Sequence, residues 1–254
     1  NTSYNTAIGY EALRNYTGNN SLGIGYYAMR NATGAGNFGI GYNAGNAVTT
    51  GAYNYAIGEE TLVSITSASY NTAVGYRSLY SNTASNNTAI GYQAGYNGGT
   101  DANTTGSNNT FIGYNAVNVA NATASNTIVL GNTSIATIKA QVTTITGLSD
   151  ARDKTNIQDI PLGLDFVNDL RPVKFDWNQR DGGRVGTPDS GFIAQESLNV
   201  VEKYDADWFG LVNHENEDYL EMTYGKLIPV LVKSIQELTE KNKELEQRIA
   251  KFES

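Results

Sequence analysis

The run Ser149-Asp150-Ala151-Arg152-Asp153-Lys154-Thr155-Asn156-Ile157 sets a serine five residues before a lysine. It stands where the chain changes character. Before it lies a repeat rich in glycine and tyrosine and almost free of charge, and after it a sequence of ordinary globular composition. A serine hydroxyl is a weak nucleophile at neutral pH and needs a base. A lysine amine can be that base when burial lowers its pKa. Such a pair at such a junction is a candidate self-cleavage site. A spacing of five puts the two side chains on different faces of a helix and on opposite faces of a strand. A turn between them, or a neighbouring subunit, must therefore bring them together. The same residues allow a plainer reading, in which Ser149-Asp150 merely caps the following segment.

The elements downstream are those that would hold such a site. Residues 160–170 are expected to form a short helix with Pro161 near its start, ended by Arg171-Pro172. Val173, Phe175 and Trp177 alternate with polar residues, which is a strand pattern. Residues 178–190 are expected to be a polar loop. Gly191-Phe192-Ile193-Ala194-Gln195-Glu196 follows, with Gln195 and Glu196 read either as site residues or, in preference, as structural ones. His214, the only histidine, is expected to be a surface residue without a partner.

The opening Ser149, Asp150, Arg152, Lys154, Asn156 and Ile157, the Pro172, Phe175 and Trp177 strand, and Gly191–Glu196 together resemble the intramolecular chaperone of phage tailspikes and tail fibres (endosialidase type, peptidase family S74). The resemblance covers residues 149–254. It implies that Ser149 is the nucleophile, that Lys154 is the base and that the scissile bond is Leu148–Ser149. Asp153 stands where the family pattern has an apolar residue. Asp150 and Arg152 read as structural partners of the site.

The upstream part repeats. Ile8-Gly9, Ile24-Gly25, Ile40-Gly41, Ile57-Gly58, Val74-Gly75, Ile90-Gly91, Ile112-Gly113 and Leu130-Gly131 mark eight copies at intervals of 16, 16, 17, 17, 16, 22 and 18 residues. Each unit reads as a short strand plus a turn supplied by Asn, Gly and Thr. One unit cannot bury enough apolar surface to stand alone, whereas stacked units can. The expectation is a parallel β-solenoid over 1–131 in which the small alternate face lets another backbone approach. The insertion Gly95–Asp101 is expected to protrude as a loop. The repeat is similar to the head repeats of trimeric autotransporter adhesins, which implies a trimer of β-rolls. Residues 132–148 are rich in β-branched residues and read as a junction of one or two strands that change face around Lys139.

Residues 225–253 carry a heptad pattern, with Ile228, Ile235, Asn242 and Ile249 at a and Leu231, Leu238, Leu245 and Phe252 at d. Ile at a, Leu at d and one Asn at a favour two strands in free-standing parallel coils. Both resemblances imply three, and a homotrimer is the expectation. The fold class expected is therefore a mainly β trimeric β-roll, then a small α+β chaperone domain over 149–254 ending in a coiled-coil helix.

Composition narrows the function. Residues 1–148 hold four acids and four bases, so the whole net charge of −8 falls in 149–254. That balance excludes nucleic-acid backbone binding, which needs clustered Lys and Arg. The chain has no cysteine, no metal-ligand cluster, no implied cofactor and no apolar run long enough for membrane insertion. It begins in mid-repeat without Met and reads as a fragment of something longer. Fourteen of the 17 tyrosines precede Ser149. Those after Ile-Gly (Tyr10, Tyr26, Tyr42, Tyr76, Tyr92, Tyr114) read as a structural ladder. Tyr27, Tyr53, Tyr80 and Tyr96 fall off that register and are the candidate contact residues for a ligand.

The expected function is a homotrimeric fibre or adhesin tip, extracellular on a virion tail or a bacterial surface. It would bind a glycan or outer-membrane component of a host or prey cell. Its C-terminal part would drive trimerisation and cut itself free at Leu148–Ser149, as an autoproteolytic serine peptidase. The rival is a permanently joined, non-enzymatic adhesin in which 149–254 is a fixed cap.

Overall fold

A glycine recurs on every rung of the N-terminal part, and its backbone decides how closely the rungs stack. Gly9, Gly25, Gly41, Gly58, Gly75, Gly91 and Gly113 all have φ between +119° and +137°. At Gly75 a Cβ atom would lie 2.3 Å from the carbonyl oxygen of Gly91. No side chain fits between such rungs, and L-residues rarely adopt that φ.

The computed structural model describes residues 4–96, 105–117, 123–135, 137–139, 147–180, 182 and 184–253. It divides into two compact units, residues 1–135 and 136–254. In the first, eight three-residue strands pair in parallel in strict chain order. They are β1 (Thr6–Ile8), β2 (Leu22–Ile24), β3 (Phe38–Ile40), β4 (Tyr55–Ile57), β5 (Thr72–Val74), β6 (Thr88–Ile90), β7 (Thr110–Ile112) and β8 (Ile128–Leu130). Equivalent residues pair throughout, so Ile8 faces Ile24, Ile24 faces Ile40, and so on. This is the parallel β-solenoid that the repeat predicted. Residues 97–101 of the expected protruding insertion lie outside the described residues.

The middle residue of each strand from β2 to β7 points inward. Ala56, Ala73 and Ala89 are fully buried, and Phe111 nearly so. Small side chains there leave room for Leu13, Met29, Val48, Leu62, Ile65 and Leu79, which the turns send into the same interior. Gly45 and Gly95 stand where other rungs have Leu62 or Leu79, and the space is taken from next door. A Cβ on Gly45 would meet Met29 Sδ, and one on Gly95 would meet Leu79 and Phe111. The strand-ending residues point outward instead. Ile8, Ile40, Ile57, Ile90, Ile112 and Leu130 are between 36% and 58% exposed and form one apolar column.

A second column is polar and buried. Asn37, Asn54, Asn71, Asn87 and Asn109 are at most 1% exposed. The Asn54 side-chain oxygen accepts the Asn71 backbone N–H at 3.1 Å, and that of Asn71 accepts the Asn87 N–H at 3.0 Å. The Asn71 side-chain amide donates to Asn54 Oδ1 at 3.1 Å. The sequence reading gave asparagine a turn role and missed this ladder. Buried polar groups persist where every one is paired. Asn71→Ala leaves the Asn87 amide buried without an acceptor, which costs about 1–3 kcal/mol. Chemical denaturation of the variant is expected to show that loss, and a change under about 0.5 kcal/mol would show that this bond contributes little.

The tyrosines after Ile-Gly do stack. Tyr10–Tyr26, Tyr26–Tyr42, Tyr76–Tyr92 and Tyr92–Tyr114 have ring centroids 5.0, 5.5, 5.2 and 5.4 Å apart. Glu59 interrupts the column between Tyr42 and Tyr76.

The second unit packs α1 (Leu164–Asp169), β9 (Val173–Asn178), β10 (Val185–Gly191), α2 (Ala194–Lys203), the two-residue strands β11 (Val212–Asn213) and β12 (Glu221–Met222), and α3 (Leu227–Glu253). Its core is Leu162, Phe166, Leu170, Val201, Phe209, Leu211, Leu227 and Val230. Two expectations need correcting. The first helix begins at Leu164, beyond Pro161, because its first N–H is taken by Glu237 Oε2 at 2.8 Å. Residues 185–191 form a strand within the segment read as loop. It pairs antiparallel with β9, and a register shift between Val185 and Pro188 absorbs the proline. The expected junction strands fall largely on residues 136 and 140–146, which lie outside the described residues, while the described 132–135, 137–139 and 147–148 carry no strand.

The long helix α3 has two apolar faces. Leu227 and Val230 are buried in the unit's own core. Ile228, Leu231, Ile235, Leu238, Leu245, Ile249 and Phe252, all heptad a and d positions, are 44–87% exposed.

Candidate self-cleavage site

Gly147 and Leu148 approach the site as exposed chain, and Leu148 is 85% exposed. Asp150 is extended, at φ −68° and ψ 136°, and opens a single 3₁₀ turn over Ala151–Asp153. Its side-chain oxygen accepts the Arg152 backbone N–H at 2.9 Å, as N-capping aspartates do. Within the turn the Asp153 N–H donates to Asp150 O at 3.1 Å and the Lys154 N–H to Ala151 O at 3.2 Å. The chain leaves the turn extended at Lys154. That single reversal lets Lys154 Nζ reach Ser149 Oγ at 2.7 Å and Ser149 O at 3.1 Å. Of the two ways to close a spacing of five, the turn within one chain is the one present.

Asp150 and Arg152 pair with each other. The Arg152 guanidinium donates through Nε to Oδ1 at 3.0 Å and through its terminal nitrogen to Oδ2 at 2.6 Å. That side-chain bond, with the backbone N–H of Arg152, holds the Asp150 carboxyl below the usual carboxylate range, and the carboxylate pushes the guanidinium pKa up.

The chemistry open to this arrangement is limited by exposure. Ser149, Ala151–Asp159 and Leu148 are all exposed in the single chain. A lysine must lose its proton to act as a base, and burial is what favours the neutral amine. Nothing among the described residues covers Lys154. Leu148 and Ile157, at 85% and 71% exposure, are apolar side chains left open on either side of the pair.

The other signature residues build the scaffold. A Cβ on Gly191 would lie 2.5 Å from the Tyr224 hydroxyl, so glycine lets the end of β10 pass beneath that ring. Arg171 grips Glu196 with Nε–Oε2 at 2.8 Å, joining the start of β9 to α2 and holding the Glu196 carboxyl below its ordinary range. Gln195 is exposed. Trp177 donates through Nε1 to Asp189 Oδ2 at 3.0 Å across the β9–β10 hairpin. His214 is not partnerless: its Nε2 lies 2.9 Å from Asp207 Oδ1.

Of the off-register tyrosines, Tyr53 is exposed, whereas Tyr27, Tyr80 and Tyr96 are half-buried. The structure does not gather them at one place. Tyr53 stacks on Tyr70 at 5.5 Å, Tyr80 meets Tyr96 edge-on at 5.4 Å, and Arg30 lies over Tyr27. Tyr53 and Tyr70 have left-handed φ of +56° and +61°, in the turn where Asn20 and Asn86 do the same.

Among the described residues no group of three His, Cys, Asp or Glu could hold a metal ion. No helix among the described residues is long and apolar enough to cross a membrane. No curated protein and no solved structure matches the chain. The segment that opens on Ser149 and Lys154 and runs through the β9–β10 hairpin and α2 is matched, over residues 149–205, by the peptidase S74 family, the chaperone of endosialidase.

Proposed function

We propose that this chain is a homotrimeric fibre or adhesin tip whose C-terminal part brings three copies into register and then separates by cutting Leu148–Ser149. The domains are the solenoid (1–131), a junction (132–148) and the chaperone (149–254) with its coil over 225–253. The observation that carries the cleavage reading is the 2.7 Å contact between Lys154 Nζ and Ser149 Oγ. Two open apolar columns support assembly, one on the solenoid and one on α3, since faces of that kind are stable only when covered. Cleavage follows a balanced course. Lys154, as the free amine, takes the Ser149 hydroxyl proton, and Oγ bonds to the Leu148 carbonyl carbon. The C–N bond to Ser149 breaks and its nitrogen takes up the proton. Water then hydrolyses the ester, leaving a Leu148 carboxylate and a free Ser149 amine.

Because the pair is uncovered in one chain, assembly is what would bury Lys154 and switch the cut on. Losing the template then makes the assembled solenoid hard to unfold reversibly. The mature tip works outside the cell, on a virion tail or a bacterial surface. It binds a surface glycan or an outer-membrane component, with Tyr27, Tyr53, Tyr80 and Tyr96 as contact residues.

Intact mass under denaturing conditions tests the cut. The wild type is expected to give two species meeting at 148/149, and Ser149→Ala and Lys154→Ala one full-length species each. A full-length wild type would remove the peptidase claim. It would favour the permanently joined cap, the reading that the exposure of Lys154 supports.

A further inference from the structure

We propose that Asp150 is a positioning residue for the cut, holding the turn that brings Lys154 to Ser149. This rests on the self-cleavage reading above. Ser149 and Lys154 are joined only by the residues between them, and no other described side chain touches either amine or hydroxyl. The path between them is one 3₁₀ turn, and such a short turn with two backbone bonds is marginal by itself. Asp150 supplies what the backbone lacks. Its Oδ1 takes the Arg152 N–H at 2.9 Å, which has no acceptor inside a turn that starts at Ala151. Both its oxygens then fasten the Arg152 side chain, with contacts of 2.6–3.1 Å.

Three variants of the full-length chain separate this role from others. Asp150→Ala removes both the cap and the clamp. Asp150→Asn keeps an oxygen acceptor for the Arg152 N–H, and asparagine caps as well as aspartate. Arg152→Ala keeps the cap alone. Positioning predicts that Asp150→Ala slows cleavage about 100-fold, the usual cost of a misplaced reacting group. Asp150→Asn and Arg152→Ala stay close to the wild-type rate, and the shape of the pH–rate profile is unchanged in all three. In chains also carrying Ser149→Ala, where no cut occurs, hydrogen exchange at the Arg152 and Lys154 amides should quicken with Asp150→Ala and not with Asp150→Asn.

Cleavage by Asp150→Ala at the wild-type rate would overturn the proposal. So would Asp150→Asn as slow as Asp150→Ala, or a displaced pH profile, because either assigns the effect to charge. An uncut wild type removes the cleavage reading itself and this proposal with it. The exchange measurement still reports in that case whether Asp150 holds the turn, so the two failures are distinguishable.

Discussion

Full-length protein carrying Leu238→Asp and Leu245→Asp is expected to elute as single chains, and its solenoid to fail to fold or to aggregate. Both leucines lie on the open face of α3, at 47% and 50% exposure, and neither touches the core of its own unit. The substitutions therefore leave the isolated fold of 149–254 intact. The cost appears only in the assembly. Each leucine is already about half covered, so covering the rest is worth about 0.8–1.5 kcal/mol, and two per chain in three chains amount to roughly 5–9 kcal/mol before any buried aspartate is counted. Light scattering with size exclusion reads the result directly. A wild type of three chains and a variant of one supports the seam, whereas a variant that stays trimeric places the contact elsewhere. A wild-type dimer would vindicate the two-strand preference of Ile at a and Leu at d, and would overturn the trimer.

The second large effect is expected at Gly75→Ala. The new Cβ would sit 2.3 Å from Gly91 O and 2.7 Å from Gly91 C, at a residue with φ +126°. Both obstacles are backbone. Gly91 cannot retreat, because its own N–H is bonded to Val74 O at 2.8 Å. Left-handed strain alone costs about 1–3 kcal/mol, and separating two rungs breaks strand pairing as well. A loss of about 3–5 kcal/mol corresponds to a fall of roughly 10–18 °C in the melting temperature for a unit this size. Melting followed by circular dichroism checks it. A variant melting within about 2 °C of wild type would mean that the rungs are not held as tightly as the glycine column implies.

The solenoid was legible because its signal is repeated. One Ile-Gly unit says little, but eight in register leave few alternatives, and all eight strands end at the marked residue. What repetition did not reveal was the direction of side chains. Asparagine favours turns as an isolated residue, yet Asn54 and Asn71 form a buried ladder, because only stacking puts an amide within reach of the next rung. The tyrosine ladder could be read because its members share one offset from Ile-Gly. The strand β10 was missed for the opposite reason. Val185, Gly186, Thr187, Pro188, Asp189, Ser190 and Gly191 have turn-like composition, and what makes them a strand is the β9 edge beside them. At the site, Ser149 and Lys154 were readable as residue types with a spacing problem. Capping by Asp150 was readable from residue type, but not that the turn it caps returns Lys154 to Ser149.

The glycines at Gly45 and Gly95 bear on where the solenoid can gain or lose a rung. Their missing side chains are replaced by Met29 on one side and by Leu79 and Phe111 on the other, so the rungs around them are keyed pairs rather than identical bricks. A duplication or deletion that separates a glycine from its filler opens a hole, and one that doubles the filler overfills the interior. Between Leu62 and Leu79, where leucine follows leucine, a whole rung can enter or leave without disturbing any key. A rung inserted between Leu62 and Leu79 is therefore expected to be tolerated better than one inserted beside Gly45 or Gly95, each added rung lengthening the solenoid by about 4.8 Å.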